Sequence, residues 1–419
     1  MAEQLHISRL GAKADGIADT ESGAVFVAGA LPGEDVLVRR EGSRAQLESV
    51  ETRSADRETP FCPYFGRCGG CATQHMGHSL YQGWKRETVS VALRQAGIDA
   101  PLRDLVDAHG DGRRRITLHG RFAHGVQVGY MAARSHTVVE IDHCPIAEPA
   151  LKTRAPEVAR VLAGALASAR KPLDIQITAT EGGLDIDLRG HGPVDDRKGR
   201  RLCDLAGSLD LARLSLHGEL LLERRSPVIV MGRAQVVPPP GSFLQATRRG
   251  EEVLSQLVME GCRDARSIAD LFSGCGPFAL RLAERAEIHA VELDRAAVAA
   301  LDRAARFTPG LRRITTEARD LFRRPLLGPE LDKFEAVVLD PPRAGAEAQV
   351  RQIAGSNVSR VVSVSCDGGT FARDAAILIA AGFTLDEVVL VDQFKHSPHV
   401  EIVGVLRREP RRSARRRRG

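Results

Sequence analysis

From about residue 243 onward, strand-like and helix-like stretches alternate. SIADLF, EIHAVEL, AVVLD, RVVSVSC and EVVLVDQF are runs of aliphatic and β-branched residues, and most of the segments between them read as helices. That rhythm admits few folds and favours a parallel, doubly wound α/β sheet. In such sheets ligands bind outside the carboxyl ends of the strands. The residues that close each strand are therefore the first candidates for a site.

The upstream part has a different texture. Residues 1–57 read as short strands and turns, with AVFVAGALPGEDVLVRR forming two β segments around a Pro-Gly loop. This suits a small barrel of the oligonucleotide-binding kind. Between 58 and 240 a glycine-rich cysteine cluster comes first, then a helical stretch over 79–97 expected to pack on the catalytic domain. A mainly β region follows: ITLHGRF, VQVGYMA, LDIQITAT and LDIDLRG alternate in polarity, the last two joined by the hairpin signal EGG. One helical segment, APEVARVLAGALASA, interrupts them. The expected units are thus 1–57, 58–240, a Rossmann-like catalytic domain at 241–408, and a basic disordered tail at 409–419.

Composition narrows the class. With 419 residues the chain has room for two or three cores. No apolar run approaches the roughly 18–20 residues that span a bilayer, and MAEQLHISRL lacks a secretory pattern. A cytoplasmic monomer without a membrane partner is expected. The net charge is +5, but RREPRRSARRRRG, from Arg407, holds eight arginines and one glutamate, and removing it takes the charge to −2. The basicity belongs to an appendage, which either binds RNA phosphates without reading sequence or only solubilises the terminus.

Three strand ends carry chemistry. DLFSGCGPFALRLA passes from strand to helix through Gly274 and Gly276, where glycines let a ligand approach the backbone. The third glycine of the dinucleotide fingerprint is absent, so a simple tight turn remains possible. Glu292 ends the next strand, sixteen residues past Gly276, where a carboxylate can accept ribose hydroxyls. Together with Asp320, on the adenine side, it favours S-adenosylmethionine over NAD. DPPRAG stiffens the loop that holds Asp340, able to hydrogen-bond a base edge or merely to be solvated. The next strand ends in Cys366, and the last begins at Glu401, which alone would read as an outward residue. Carbon 5 of uracil is a poor nucleophile until a thiolate adds at carbon 6, and the adduct must then lose its carbon-5 proton to a base. Cys366 and Glu401 are the residue types that this chemistry needs.

In order, GALPGEDV, CPYFGRCGGCATQH, FLQAT, DLFSGCGPF, DPPRAG, VSCDGGTFARD and SPHVE resemble the RNA 5-methyluridine methyltransferases, in particular the bacterial 23S ribosomal RNA uracil-C5 enzymes with an N-terminal TRAM domain. The resemblance spans nearly the whole chain. It implies an S-adenosylmethionine-dependent enzyme that methylates a uridine in RNA, ribosomal rather than transfer RNA. It also implies Cys366 as nucleophile, Glu401 as base, and Gln245, Phe272, Glu292, Asp320 and Asp340 as contacts to cofactor or base. Two departures stand out: Thr247 replaces a frequent asparagine, and Pro277 a frequent polar residue.

Cys62, Cys68 and Cys71 are spaced C-x5-C-x2-C, and Cys144, before a proline, is the best fourth ligand. The spacing favours [4Fe–4S] over zinc, which usually takes two paired C-x2-C arms, and relatives in the resembled family bind such a cluster. Arg113, Arg114 and Arg115 form a second basic run suited to RNA. Other readings fit less of the chain. An exocyclic-amine methyltransferase would place an aromatic where Arg343 stands. A non-catalytic RNA-binding iron–sulfur protein leaves Cys366 unexplained. Radical chemistry lacks its cysteine spacing.

Overall fold

A computed structural model describes residues 2–122, 125–166 and 172–409. The arginine-rich end from 410 onward, read above as a tail, lies outside the described residues. Arg407 does not belong to it, because it closes the strand Glu401–Arg407. Arg408 donates to the carbonyls of Val358, Ala354 and Ser356 and lies 4.2 Å over the Phe383 ring.

Residues 2–52 form one six-stranded sheet. In Asp35–Glu41, Val36 and Val38 are buried in its core while Arg39 faces outward, the period-2 pattern of a half-buried strand. The Pro-Gly loop does not join a hairpin. Gly23–Ala28 and Asp35–Glu41 flank the strand Arg44–Thr52 instead.

A seven-stranded sheet spans 115–223 with Leu173–Thr180 at its centre, paired to Gly183–Arg189 by the expected hairpin. Helix Arg154–Ala165 buries Val158 and Leu162 against Ile175 and Ile177. A second helix, Asp196–Ser208, contradicts the expectation of a single helical segment here. Its run of cations hides a narrow apolar stripe, of which only Leu202 and Ala206 are buried, and Asp195 caps it by accepting the Lys198 N–H at 2.8 Å.

The third sheet has eight strands, in the order Ile314–Ala318, Glu287–Glu292, Ser267–Leu271, Ala336–Leu339, Arg360–Ser365, Glu401–Arg407, Thr384–Asp392, Val106–Asp107. The first five run parallel. Glu401–Arg407 is antiparallel to both of its neighbours, so the expected parallel sheet is in fact mixed. The cause is the connection 393–400, too short for a helical crossover but sufficient to reverse the chain. Strand order reverses between Ser267–Leu271 and Ala336–Leu339, which opens a crevice at their carboxyl ends.

Helix His78–Gln95 lies upstream in sequence but belongs to this layer. Val89 and Leu93 share a core with Phe371, Leu390 and Ile402. On the same helix the buried Lys85 ammonium pairs with Asp392, whose second oxygen accepts the Tyr81 hydroxyl at 2.7 Å. Lys85 also donates to the His399 carbonyl at 2.8 Å. Among the described residues no helix is long and apolar enough to cross a membrane. Asp392→Ala leaves the Lys85 charge buried and uncompensated, so it is expected to cost about 3–5 kcal/mol in denaturant unfolding; an unchanged midpoint would refute the structural role of this pair.

Candidate active site

The loop after Ser267–Leu271 enters the crevice with three residues at positive φ: Phe272 at 63°, Gly274 at 53° and Gly276 at 89°. The two glycines differ in purpose. Gly274 lines the cavity, and a Cβ there would meet nothing within 4 Å. Gly276 lies off the cavity, where a Cβ would stand 2.3 Å from Leu301 Cδ1, so it serves the packing of helix Arg295–Arg306. The Gly274 N–H donates to Glu292 Oε2 at 3.0 Å, while Glu292 Oε1 accepts the N–H groups of Leu293 and Asp294 at 2.7 and 3.0 Å. Three backbone donors thus fix this carboxylate at the cavity wall. Asp320 Oδ1 accepts the N–H groups of Phe322 and Arg323 at 3.0 and 3.2 Å. The rings of Phe322 and Phe272 meet with centroids 5.5 Å apart.

The cavity holds about 550 Å³, a volume typical of small-ligand sites. Besides the residues above it is lined by Gln245, Asp340, Cys366 and Glu401. Of the nine residues expected at cofactor or catalytic positions, all but Gly276 face it. Cys366 and Glu401 come together at the end of a strand ladder. The antiparallel pairing closes with Ser365 opposite Ile402, and the next residue of each strand end, Cys366 and Glu401, lines the cavity.

Burial dominates the electrostatics here. Glu401 is pushed up to about 8 by burial and then by Asp340, against the opposing pull of Gln393 and Arg343. Asp340 rises to about 7 through burial, countered by a hydrogen bond from Gln245 Nε2 at 3.1 Å. Burial and then Glu401 push the Cys366 thiol up to about 11, while Arg343 draws it down. Cys366 remains half-exposed to the cavity, whereas Cys275 is buried in the glycine loop and pushed up to about 12, a poor candidate for thiol chemistry.

Three residues not assigned to the site from sequence support it: Arg343 and His399 line the cavity, and Gln393 lies buried behind it. Gln393 Nε2 donates to Glu401 Oε1 at 3.0 Å and to Gln245 Oε1 at 2.6 Å. The Arg343 guanidinium donates to His399 Nε2 at 2.8 Å, and burial pushes His399 down to about 4, so its ring is neutral. Arg343 sits inside DPPRAG and His399 two residues before Glu401, so their neighbours were the available signal.

A family model described as tRNA (uracil-5-)-methyltransferase matches residues 241–409. An uncharacterized RNA methyltransferase of Mesorhizobium japonicum is 43% identical over 98% of this chain and 100% of its own length. The 23S rRNA (uracil(1939)-C(5))-methyltransferase RlmD of Halomonas elongata is 33% identical, covering 96% of this chain and 88% of its own. The chain belongs to the RNA uracil-5 methyltransferase family. Its fold is shared by the Pyrococcus abyssi tRNA (uracil-54, C5)-methyltransferase solved with S-adenosyl-L-homocysteine, at a TM-score of 0.74 and 19% identity over 96% of this chain and 99% of that one.

The methyltransferase has a second, smaller pocket, lined by Cys62, Cys68, Cys71 and Cys144. Gly70 N–H points at Cys68 Sγ from 3.4 Å, the Tyr130 hydroxyl at Cys144 Sγ from 3.8 Å, and Arg113 lines the same pocket. Among the described residues no three Cys, His, Asp or Glu side chains converge as a single-ion site would require. The pocket is joined to the active site through the backbone: Ala72 N–H donates to the His396 carbonyl at 2.7 Å.

The basic run 113–115 is not an RNA-facing stripe. Arg114 is buried, donating to the Gln245 carbonyl at 3.0 Å and to Glu251, which Arg281 also pairs. Arg115 donates to the Ser242 carbonyl and lies over Phe243. These arginines fasten the central sheet to the catalytic layer. Thr247 likewise has a structural task, capping helix Arg248–Gly261 by accepting the Gly250 N–H at 2.8 Å.

Asp270, fully buried at the centre of the sheet, is pushed up to about 8 by burial and then by Asp340. Carboxyls in an unfolded chain titrate near about 4. Asp270, Asp340 and Glu401 therefore hold protons in the folded state that the unfolded state gives up. Their contribution to stability is full below about pH 4 and is lost as pH rises through about 7 to 8. The ligand-free enzyme should melt at progressively lower temperature from pH 5 to pH 8, and Asp270→Asn should flatten that slope. A slope unaffected by the substitution would contradict the burial of this charge.

Proposed function

We propose that the enzyme methylates carbon 5 of a uridine in 23S ribosomal RNA, in the cytoplasm, through a covalent adduct between Cys366 and uracil carbon 6. The observation that carries this reading is the convergence of one half-exposed thiol and one buried carboxylate at the end of a strand ladder, in a cavity sized for a nucleotide-like cofactor. The ribosomal target rests on the likeness to RlmD over nearly the whole chain.

The cofactor-facing half of the cavity fits S-adenosylmethionine. Gly274 leaves backbone open to a ligand, Glu292 is held for ribose hydroxyls, and Asp320 with the Phe272–Phe322 pair forms an adenine-sized wall. S-adenosylmethionine supplies the methyl group as an electrophilic sulfonium and departs as S-adenosylhomocysteine. A neighbouring positive charge of that kind lowers a thiol's pKa, adding to the pull of Arg343 on Cys366.

The target base must leave its stack to reach this pocket. Asp340 accepts the uracil N3–H with its free oxygen, and so presents carbon 6 to Cys366. The Cys366 thiolate adds at carbon 6, and the electron pair of the carbon 5–carbon 6 double bond becomes enolate-like toward O4. That pair forms the new bond from carbon 5 to the methyl group. Glu401 then takes the carbon-5 proton. The electrons of that C–H bond restore the double bond and expel the Cys366 thiolate.

Cys62, Cys68, Cys71 and Cys144 fit the donor set of a [4Fe–4S] cluster: four thiols around one pocket, with N–H, O–H and guanidinium donors nearby. The C-x5-C-x2-C spacing with one remote cysteine differs from the two paired C-x2-C arms usual for structural zinc. Methyl transfer moves no net electron, so the cluster's task is structural. Its loop holds the 393–400 segment through Ala72 and the central sheet through a hydrogen bond from Gly69 to Met131.

Two experiments follow. With unmodified 23S RNA, Cys366→Ala should form no denaturation-stable complex, whereas Glu401→Gln should accumulate one and turn over about 10²–10⁴-fold more slowly. Normal turnover by either variant would sink the assigned roles, and methylation of transfer RNA alone would replace the ribosomal target. For the cluster, anaerobically purified protein should contain iron and sulfide, and Cys144→Ala should lose both along with thermal stability. Stoichiometric zinc in the native protein would overturn the assignment.

A further inference from the structure

Gln393 follows the strand Thr384–Asp392 and is 0% exposed. The Ala246 N–H donates to its Oε1 at 2.9 Å, so that end of the amide must be the oxygen. The other end must then be the NH2 group. Its two hydrogens meet two acceptors, Gln245 Oε1 at 2.6 Å and Glu401 Oε1 at 3.0 Å. With its oxygen turned toward Gln393, Gln245 has only its own NH2 to offer Asp340 Oδ2, at 3.1 Å. One backbone N–H thus orients two amides, and the two amides hold two carboxylates. No slack remains in the arrangement: a Cβ at Gly250 would lie 2.6 Å from Gln393 Oε1 and 2.7 Å from its Cβ, so the first turn of helix Arg248–Gly261 is packed onto the amide.

We propose that Gln393 is the positioning residue of the general base: it ties Glu401 Oε1, leaves Oε2 as the oxygen that receives the carbon-5 proton, and through Gln245 sets Asp340 in register with the same base. The proposal rests on the covalent reading given above. Its chemical content is asymmetry. A carboxylate free to rotate offers either oxygen in many directions. One held by a directed donor offers a single lone-pair region toward the crevice, where the proton must arrive.

The charged and titratable groups that face Glu401 are Asp340 and Arg343, from the DPPRAG loop, and Cys366, from the opposed strand end. Asp340 disfavours the ionised base, while Arg343 and the Gln393 donor favour it. Removing the donor leaves Asp340 less opposed, so Glu401 should ionise at higher pH. Gln393→Met keeps the side-chain length without a donor. Proton removal, followed as resolution of the Cys366 adduct in a single turnover on unmodified RNA, should need a pH about one unit higher than in the native enzyme, a tenfold loss on the acid limb. The steady-state adduct at neutral pH should rise. If Gln393→Met does not fold, Gln393→Asn retains an amide too short to reach both acceptors and should shift the profile in the same direction. A folded variant with the native pH profile and adduct level would overturn the inference alone. A native enzyme that forms no adduct would overturn the covalent reading and this inference with it.

Discussion

One ladder of backbone hydrogen bonds governs the active site. The strand Glu401–Arg407 runs against Arg360–Ser365, and their register brings the ends that carry Cys366 and Glu401 to the same cavity. In a β-ladder a slip of one residue turns every side chain to the other face. Such a slip here would move Cys366 and Glu401 apart and bury the wrong residues. The register is fixed by the aliphatic residues on both faces of these strands, among them Val362, Val364, Ile402 and Leu406, all buried in two cores. Chemistry that needs two side chains at a set separation is thereby anchored in the most rigid part of the fold.

The same edge carries an electrostatic load. Asp270, Asp340 and Glu401 are kept from water in one neighbourhood, and each is pushed up by several pH units. Buried charge pairs join other layers to this edge. Lys85 and Tyr81 grip Asp392 beside the loop that leads to Glu401, and Arg114 with Arg281 grips Glu251 beneath Gln245. Buried pairs of this kind add little net stability, so their value lies in specifying how the upstream elements dock on the catalytic sheet.

Much of this was legible in the chain. Strand–helix alternation revealed the α/β layer, and the residues closing SIADLF, EIHAVEL, AVVLD and RVVSVSC do line the crevice. Local pattern fell short where tertiary context decides. The reversal of the last strand depends on the 393–400 connection, whose length matters more than its composition. Helix Asp196–Ser208 was masked by arginines that occupy its solvent face. The run 113–115 looked like a basic surface because sequence shows charge but not partners; Gln245 and Glu251, more than a hundred residues away, are what bury Arg114. Gln393 was invisible for the same reason. A glutamine after a strand is unremarkable until its three hydrogen-bond partners are seen.

The measurement that tests the central claim most directly is covalent trapping. The enzyme, with S-adenosylmethionine, is incubated with 23S ribosomal RNA carrying 5-fluorouridine, whose fluorine cannot leave as the proton does. The account predicts a denaturation-stable, methylated RNA–protein complex whose crosslinked peptide contains Cys366. A methylated RNA product without any adduct, or an adduct on another cysteine, would contradict it.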